Sequence, residues 1–250
     1  MFILAGLGQK VEDLPIGVRR YIKKADYVFL ERYTSIPEPK TEKYLLKIRE
    51  DIKYVDREFV ETKLENFLLD NKDKLILLLV PGHPLFATTH ISILSFCKEN
   101  NIEFKVIGSA SVFDYVAKTG LFIYKFGKIG SISFHNSRTP YEILKYNTMI
   151  NAHTLFLLDL DPKNNKFLSV SEALLKLLEL EESEGADILS LNKKIIVCEK
   201  LGTNEERIHY LTIKEALDKV FIYPACIIVP ADLNPIEEEF LKCMSSYSEE

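Results

Sequence analysis

Short apolar segments alternate with amphipathic stretches along most of the chain. Leu14, Val18 and Ile22 recur at helical spacing between two such segments, since side chains three or four positions apart share one face of a helix. This alternation predicts βα units and a mainly parallel sheet. The strands predicted in the first part of the chain are Phe2 to Ala5, Tyr27 to Leu30, Leu75 to Val80 and Phe104 to Ile107.

The connections between apolar segments become more varied after position 110, which predicts a second α/β domain. We therefore divide the chain into residues 1–110 and 111–250. A last helix is predicted to begin at Asn234, because Pro235 takes the first helical position and Glu237 lies three residues after the cap. The polar tail from Ser245 to Glu250 is expected to fray. The other elements predicted here are strands Gly130 to Phe134, Thr154 to Leu160, Lys194 to Cys198 and Cys226 to Val229, and helices Ser171 to Leu180 and Ile213 to Val220.

The composition narrows the class of protein. With 250 residues and 47% hydrophobic content, the chain is long enough to bury a substantial core. No apolar run approaches the roughly 18 to 20 residues that span a bilayer, so we expect a soluble protein with no membrane partner. The formal net charge of -5 disfavours nucleic acid as a partner.

The four cysteines are scattered without a C-x-x-C pair, which argues against a zinc site and against a disulfide framework. No metal is therefore expected. A reducing, cytoplasmic setting fits this pattern best. The cysteines are Cys97, Cys198, Cys226 and Cys243.

The segment Ala5-Gly6-Leu7-Gly8-Gln9 follows the first predicted strand. Glycines allow a tight turn and a close approach of the backbone to a ligand. A dinucleotide fingerprint needs a third glycine where this chain has Val11, so a nicotinamide site is not supported. The segment is either a ligand loop or a plain strand-to-helix turn.

Two further segments follow predicted strands. Pro81-Gly82-His83-Pro84 leaves the most apolar strand and leads into a helix, and Gly108-Ser109-Ala110-Ser111 leaves the next one. Loops at the carboxyl ends of parallel strands converge on the crevice where such sheets bind ligands. Each segment, taken alone, is equally consistent with a simple connector.

Other polar residues lack the spacing of a catalytic or metal site. Asp159 and Asp161 are interpreted as the end of a strand, since no third ligand or acid-base partner accompanies them. His135, His153 and His209 are far apart in sequence, and we interpret each as a surface histidine or a satisfied core histidine.

Taken in order, these segments resemble the diphthine synthase family, within the tetrapyrrole-methylase-like class of methyltransferases. The Ala-Thr-Thr-His string that ends at His90 and the Tyr-Lys-Phe-Gly-Lys string that ends at Lys128 distinguish this family from the precorrin methylases. The matching segments are Ile3 to Gly8, Lys24 to Ser35, Ala87 to His90, Thr119 to Lys128, Thr139 to Lys145 and His153 to Asp159.

The resemblance implies an α/β fold with two domains of the tetrapyrrole methylase type and a cofactor cleft between them. It further implies S-adenosylmethionine as cofactor, S-adenosylhomocysteine as product, a homodimer, and translation elongation factor 2 as protein substrate. The methylated group is then the amino group on an extension of a modified histidine. No catalytic residue follows from the resemblance, and many cofactor contacts would go through the backbone. The implied cofactor-binding positions are Gln9, His83, Phe86, Ser111, Val112, Leu158, Glu199 and Ala225.

Two positions depart from the pattern of the family. His83 stands where the family usually has an acidic residue, and Phe86 replaces a smaller aliphatic one. A carboxylate would attract the sulfonium and ammonium of the cofactor, whereas a protonated imidazole would repel them. His83 therefore leaves open a noncatalytic relative that binds the cofactor or the factor. Methylation of a tetrapyrrole or of ribosomal RNA also stays open, because a fold alone does not fix its substrate.

Overall fold

The structure is a computed structural model, and residues 1–246 are described. The chain forms two compact units. Unit 1 comprises residues 1–115 with the short segments 161–165 and 202–204, and unit 2 comprises residues 116–160, 166–201 and those from 205 onward. Most of the tail that is expected to fray lies outside the described residues.

Unit 1 contains a five-stranded parallel sheet. Its strands follow the order β3-β2-β4-β1-β5, so the predicted parallel arrangement is confirmed for this unit. The strands are β1 (Phe2–Gly6), β2 (Tyr27–Glu31), β3 (Lys53–Val55), β4 (Ile76–Val80) and β5 (Phe104–Ile107). The helices are α1 (Ile16–Lys24), α2 (Pro39–Ile48), α3 (Leu64–Asp70), α4 (Ile91–Glu99) and α5 (Val112–Tyr115).

Both faces of this sheet are covered by helices. Successive side chains of a strand point to opposite faces, and Phe2 packs in one core cluster while Ile3 packs in the other. Leu64 and Ile93, from α3 and α4, join the first cluster, and Val18 of α1 joins the second. Every residue of β1 and β4 is buried, and both strands are continuous runs of apolar residues and glycine. Such runs are typical of a parallel sheet that is covered on both faces.

Unit 2 contains a second five-stranded sheet, in the order β11-β10-β12-β7-β6. Only β6 and β7 are parallel, and the other neighbours are antiparallel. The prediction of a mainly parallel sheet is therefore wrong for this unit. Its strands are β6 (Gly130–Ile132), β7 (Thr154–Leu158), β10 (Lys194–Glu199), β11 (Arg207–Thr212) and β12 (Ala225–Val229), and a separate two-stranded sheet comprises β8 (Leu160–Asp161) and β9 (Lys166–Phe167).

Three of the four helices described in this part begin after residues whose side chains accept free backbone N–H groups: Ser169, Thr212 and Asn234. The hydroxyl of Ser169 accepts the N–H of Glu172 at 3.1 Å, and the Glu172 carboxylate accepts the N–H of Ser169 at 2.9 Å, which forms a capping box. The predicted start at Asn234 is confirmed, since its Oδ1 accepts the N–H of Glu237 at 3.1 Å. The predicted helix up to Val220 is shorter than expected. The helices are α6 (Thr139–Met149), α7 (Val170–Glu184), α8 (Ile213–Leu217) and α9 (Pro235–Ser246).

Among residues 1–246, no helix combines the length and the apolar character that crossing a membrane requires.

Candidate functional site

The loops that follow β1, β4 and β5 meet at one edge of the first sheet, because these strands are parallel neighbours. Gly8 and Gly82 exchange backbone hydrogen bonds, with N···O distances of 3.2 Å from Gly8 to Gly82 and 3.0 Å in the reverse direction. A side chain at Gly6 would overlap the carbonyl oxygen of Gly82, and its Cβ would lie 3.0 Å from the Cβ of Ser109. The close approach of the three loops therefore requires glycine at position 6. Open parallel sheets bind their ligands at this kind of edge.

Gln9 lies within this group of loops. Its backbone N–H donates to Oδ2 of Asp13 at 2.9 Å. Its side-chain amide covers Gly82, since a Cβ on Gly82 would lie 3.2 Å from Nε2 of Gln9. The other carboxylate oxygen of Asp13 accepts the hydroxyl hydrogen of Tyr115 at 2.6 Å. Asp13 therefore fixes the first loop to the residues that follow β5.

His83 projects from the second loop and stacks on Phe86, with the ring centroids 3.9 Å apart. Its Nδ1 accepts the N–H of Leu85 at 3.2 Å, so the proton of the neutral ring is on Nε2. Burial lowers the pKa of His83, and the negative charge of Asp114 offsets this only in part. His83 is therefore neutral at pH 7 and adds no positive charge to this edge of the sheet.

Ser111 and Asp114 fix the third loop. Oδ2 of Asp114 accepts the backbone N–H of Ser111 at 2.7 Å and its hydroxyl hydrogen at 3.0 Å. The hydroxyl oxygen of Ser111 accepts the N–H of Phe113 at 3.2 Å. These bonds set the start of α5, whose first residue is Val112. Gln9, His83, Phe86, Ser111 and Val112 thus belong to the three loops at one edge of the sheet.

His90, at the end of the second loop, is buried together with Glu31, the last residue of β2. Its Nδ1 lies 2.8 Å from the carbonyl oxygen of Pro84, and its Nε2 lies 2.8 Å from Oε2 of Glu31 and 3.1 Å from the hydroxyl of Tyr33. Because Nδ1 faces a carbonyl oxygen and Nε2 faces a carboxylate, this setting favours the doubly protonated imidazole. Burial opposes this charge, but the hydrogen bond and the negative charge of Glu31 outweigh it and raise the pKa of His90. The ion pair holds the second loop against the end of β2.

The sequence pattern did not single out Asp13 or Asp114. It included Glu31 and His90 in segments that match the family, but it gave no sign that the two residues pair. Asp13 and Tyr115 are 102 positions apart along the chain, and Glu31 and His90 belong to separate βα units. Contacts of this kind leave no periodic or local signal in the sequence. Only the glycine and proline positions of the loops carried such a signal.

Three more predicted residues lie at one edge of the sheet in unit 2. Leu158 ends β7, Glu199 ends β10 and Ala225 begins β12. Ala225 is the register partner of Glu199, and β12 also pairs with β7 through Cys226 and Leu157. Because β12 runs antiparallel to both neighbours, its first residue lies beside the last residues of β7 and β10.

The carboxylate of Glu199 is buried and has protein partners on both oxygens. Oε1 accepts the N–H of Ile222 at 2.6 Å, and Oε2 lies 3.0 Å from Nε2 of His209. Nδ1 of His209 faces the ammonium of Lys219 at 3.3 Å, so Nε2 is the donor to Glu199. A ligand contact at Glu199 is therefore expected through its backbone.

The carboxylates of Asp159 and Asp161 bond to nearby backbone N–H groups and stabilise the local chain. Oδ2 of Asp159 accepts the N–H of Phe134 at 3.2 Å, and Oδ1 accepts that of Leu160 at 2.9 Å. Oδ1 of Asp161 accepts the N–H of Asn164 at 3.3 Å. The interpretation of these two aspartates as a strand end is confirmed.

The histidines considered in the sequence analysis are either bonded to other protein groups or exposed at the surface. His153 is buried, with Nε2 3.0 Å from Oε1 of Glu237 and Nδ1 accepting the N–H of Ala231 at 3.0 Å, whereas His135 is exposed. In the described part of the chain, no group of three or more His, Cys, Asp or Glu residues is placed to hold a metal ion.

The two α/β units and the ligand-type loops of the first sheet define a class of protein. Residues 1–217 match the family described as Tetrapyrrole (Corrin/Porphyrin) Methylases, and the chain belongs to this family. It is a methyltransferase by class.

The relatives of the chain narrow this class further. The diphthine synthase of Methanococcus aeolicus is 37% identical over 249 residues, which cover 97% of each chain. That of Methanocaldococcus jannaschii is 35% identical and covers 97% of this chain and 98% of its own length. A crystal structure of diphthine synthase matches with a TM-score of 0.85 at 27% identity, over 98% of this chain and 96% of that one. The resemblance stated from the sequence motifs is thereby confirmed.

Proposed function

We propose that this chain transfers methyl groups from S-adenosylmethionine to the amino group of a modified histidine on translation elongation factor 2. The observation that carries this proposal is the similarity to diphthine synthases along 97% of the chain. The product formed from the cofactor is S-adenosylhomocysteine.

The loops at the edge of the first sheet fit this cofactor in their chemistry. S-adenosylmethionine carries a sulfonium and an ammonium, so its site should offer acceptors and negative charge and should exclude cationic side chains. His83 is neutral there, and the negative charge of the Asp114 carboxylate is close enough to influence the imidazole of His83. Phe86 keeps 43% of its surface exposed, which leaves an aromatic face for the adenosine. The proposed contacts are Gln9, His83, Phe86, Ser111, Val112, Leu158, Glu199 and Ala225.

When bound, the cofactor supplies an electrophilic methyl group. The chain itself has to hold the acceptor amine in line with that group and to exclude water. The paired backbones of Gly8 and Gly82 and the anchored side chains of Asp13 and Asp114 hold the loops in one arrangement before any ligand binds. Such preorganisation lowers the cost of aligning two reactants.

The proposal is tested with labelled S-adenosylmethionine and elongation factor 2 that carries the unmethylated intermediate. We expect label in the factor, and none in a matched factor that lacks the histidine modification. The family description favours a second candidate, methylation of a tetrapyrrole, and ribosomal RNA is a third. Label in a porphyrinoid or in RNA, with none in the factor, would decide against the proposal. Binding of S-adenosylhomocysteine without transfer to any of these acceptors would indicate a noncatalytic relative.

We further propose that the chain acts as a homodimer in the cytoplasm, with neither nucleic acid nor membrane as partner. The formal net charge of -5 supports the exclusion of nucleic acid. Light scattering on the purified protein should give twice the chain mass of 28.8 kDa. A mass of one chain at assay concentrations would contradict the dimer.

A further inference from the structure

The carbonyl oxygen of Pro84 connects His90 to the loops at the edge of the first sheet. Nδ1 of His90 lies 2.8 Å from this oxygen, and the hydroxyl of Thr88 donates to it at 2.9 Å. Pro84 also contacts the first loop, since a Cβ on Gly6 would lie 3.0 Å from Cδ of Pro84. The position of His90 is therefore transmitted through Pro84 to the place where the loops meet.

Two of the proposed cofactor contacts depend on the position of Pro84. His83 directly precedes it, and the carbonyl oxygen of His83 accepts the N–H of Phe86 at 3.2 Å. Ala87 follows with a φ of 54°, in the left-handed region that residues with a Cβ rarely adopt. A strained turn of this kind keeps its shape only where surrounding contacts hold it. The two bonds to the Pro84 carbonyl are such contacts.

The contact between His90 and Glu31 changes sign with the charge of the imidazole. In the protonated form Nε2 donates to the Glu31 carboxylate, which lies 2.8 Å away. In the neutral form that still donates from Nδ1 to Pro84, Nε2 carries a lone pair, and this lone pair faces the carboxylate oxygen and is repelled by it. The hydroxyl of Tyr33, 3.1 Å from Nε2, can then donate to the ring instead. Loss of the proton thus moves the imidazole away from Glu31 and disturbs its bond to Pro84.

The groups around His90 are mostly acidic and favour its protonated form. Burial opposes the positive charge, but the hydrogen bond and the charge of Glu31 outweigh it and raise the pKa of His90. Burial lowers the pKa of His83, so the two histidines titrate in different pH ranges. The titratable and charged groups that surround His90 and its partner Tyr33 are Glu31, Arg57, Glu61 and Glu65.

We propose that the protonated imidazole of His90 is a positioning group for the cofactor, and that loss of this proton weakens the binding of S-adenosylmethionine and S-adenosylhomocysteine. His90 acts through Pro84, which holds His83 and Phe86 in place. The inference rests on the proposed function, because these two residues are proposed contacts of that cofactor. A role of His90 in stability alone would leave the Kd of the folded protein independent of this proton.

Imidazole NMR of the unaltered protein tests the inference without any substitution. A ligand that binds the protonated form about fivefold more tightly raises the pKa of His90 when it binds, because the two equilibria are linked. Spectra are recorded from about pH 6 to about pH 9, with and without saturating S-adenosylhomocysteine. The signal of His90 is the one that His90→Gln lacks. We expect a higher pKa of His90 in the complex, and an unchanged or lower pKa overturns the inference.

Calorimetry over the same pH range gives an independent result. The Kd of the unaltered protein for S-adenosylhomocysteine should rise by about fivefold as His90 loses its proton. In Glu31→Gln this rise should occur at lower pH, because the neighbouring anion is gone. The ammonium of the ligand titrates equally in both measurements. His135→Gln, which alters an exposed histidine, should follow the unaltered protein.

The outcomes separate this inference from the proposed function. Binding with the same pH dependence in Glu31→Gln and in the unaltered protein overturns the role of His90 alone. Absence of binding at every pH overturns the proposed function together with it. The NMR result on the unaltered protein decides the role of His90 even if Glu31→Gln does not fold.

Discussion

The charge next to the proposed cofactor loops is set by the residue at position 83. His83→Asp should lower the Kd for S-adenosylmethionine by about fivefold, or ~1 kcal/mol, because the new carboxylate attracts a cationic ligand. The gain should be smaller for S-adenosylhomocysteine, which lacks the sulfonium charge. Calorimetric titration with both ligands measures the difference, and His83→Asn is the uncharged control. Equal or weaker binding of S-adenosylmethionine to His83→Asp would show that these loops do not face the sulfonium.

The pair of His90 and Glu31 makes stability depend on pH in a defined direction. The pKa of His90 in the folded protein is raised above the ordinary value of 6.5. The contribution of the pair to the free energy of unfolding is therefore fully present below pH 6.5 and is lost as pH rises through the raised pKa. His90→Gln should lower the free energy of unfolding by about 3 kcal/mol at pH 6, since Glu31 stays buried without its cation. The difference in the free energy of unfolding between His90→Gln and the unaltered protein should narrow in alkaline buffer.

Urea unfolding at several pH values measures this gap. His135→Gln serves as a control, because His135 is exposed. A gap that stays constant or widens with rising pH would contradict a charged His90.

The contact between the loops after β1, β4 and β5 is a property of whole elements, and it depends on Gly6. Gly6→Ala should weaken binding of S-adenosylhomocysteine by about tenfold or more, because the new Cβ forces the Gly82 backbone away. Gly17→Ala in α1 is the matched control, since nothing lies within 4 Å of a Cβ there. It should leave binding unchanged and raise the free energy of unfolding by about 0.5 to 1 kcal/mol. Tight binding by Gly6→Ala would place the cofactor elsewhere.

Helix α9 is anchored through Glu237, which is fully buried. Burial opposes its charge, but the N–H groups of Phe122 and Asn234 and the imidazole of His153 outweigh this and lower the pKa of Glu237 from 4.5 to about 2. A lowered pKa stabilises the fold above pH 4.5, and the contribution, about 3 kcal/mol, is lost as pH falls from 4.5 towards 2.

Glu237→Gln removes this titrating group. Its free energy of unfolding should be lower at neutral pH, and it should fall less steeply than that of the unaltered protein below pH 4.5. Parallel acid unfolding curves for the two proteins would contradict the lowered pKa.

The elements that could be predicted from the sequence are those with a strong local pattern. Strand β4 is visible in the sequence as an apolar run, and all of its residues are buried in the structure. The start of α9 is visible as the capping residue Asn234. The edge strands β3 and β11 were missed, because β3 has only three residues and most of β11 is partly exposed. The connection 200–206 between β10 and β11 lacks the two-residue turn that marks a hairpin. The three antiparallel pairings of the second sheet therefore went unrecognised.

At the scale of the whole molecule, the chain carries the family resemblance along nearly its full length. The order of the motifs was sufficient to identify it, and the Ala-Thr-Thr-His and Tyr-Lys-Phe-Gly-Lys strings distinguished the family within its class. The groups that fix the glycine and proline turns, such as Asp13 and Asp114, could not be predicted, because their partners depend on how distant segments fold together. The division at position 110 and the eight cofactor contacts stay predictions.

The transfer of methyl groups to one defined amine is the central claim. Mass spectrometry of the elongation factor 2 peptide that holds the modified histidine tests it most directly, after incubation with this protein and S-adenosylmethionine. We predict successive mass gains of single methyl groups on the histidine extension, and none in reactions without the protein. An unchanged peptide, in a reaction where calorimetry shows the cofactor bound, would contradict the claim.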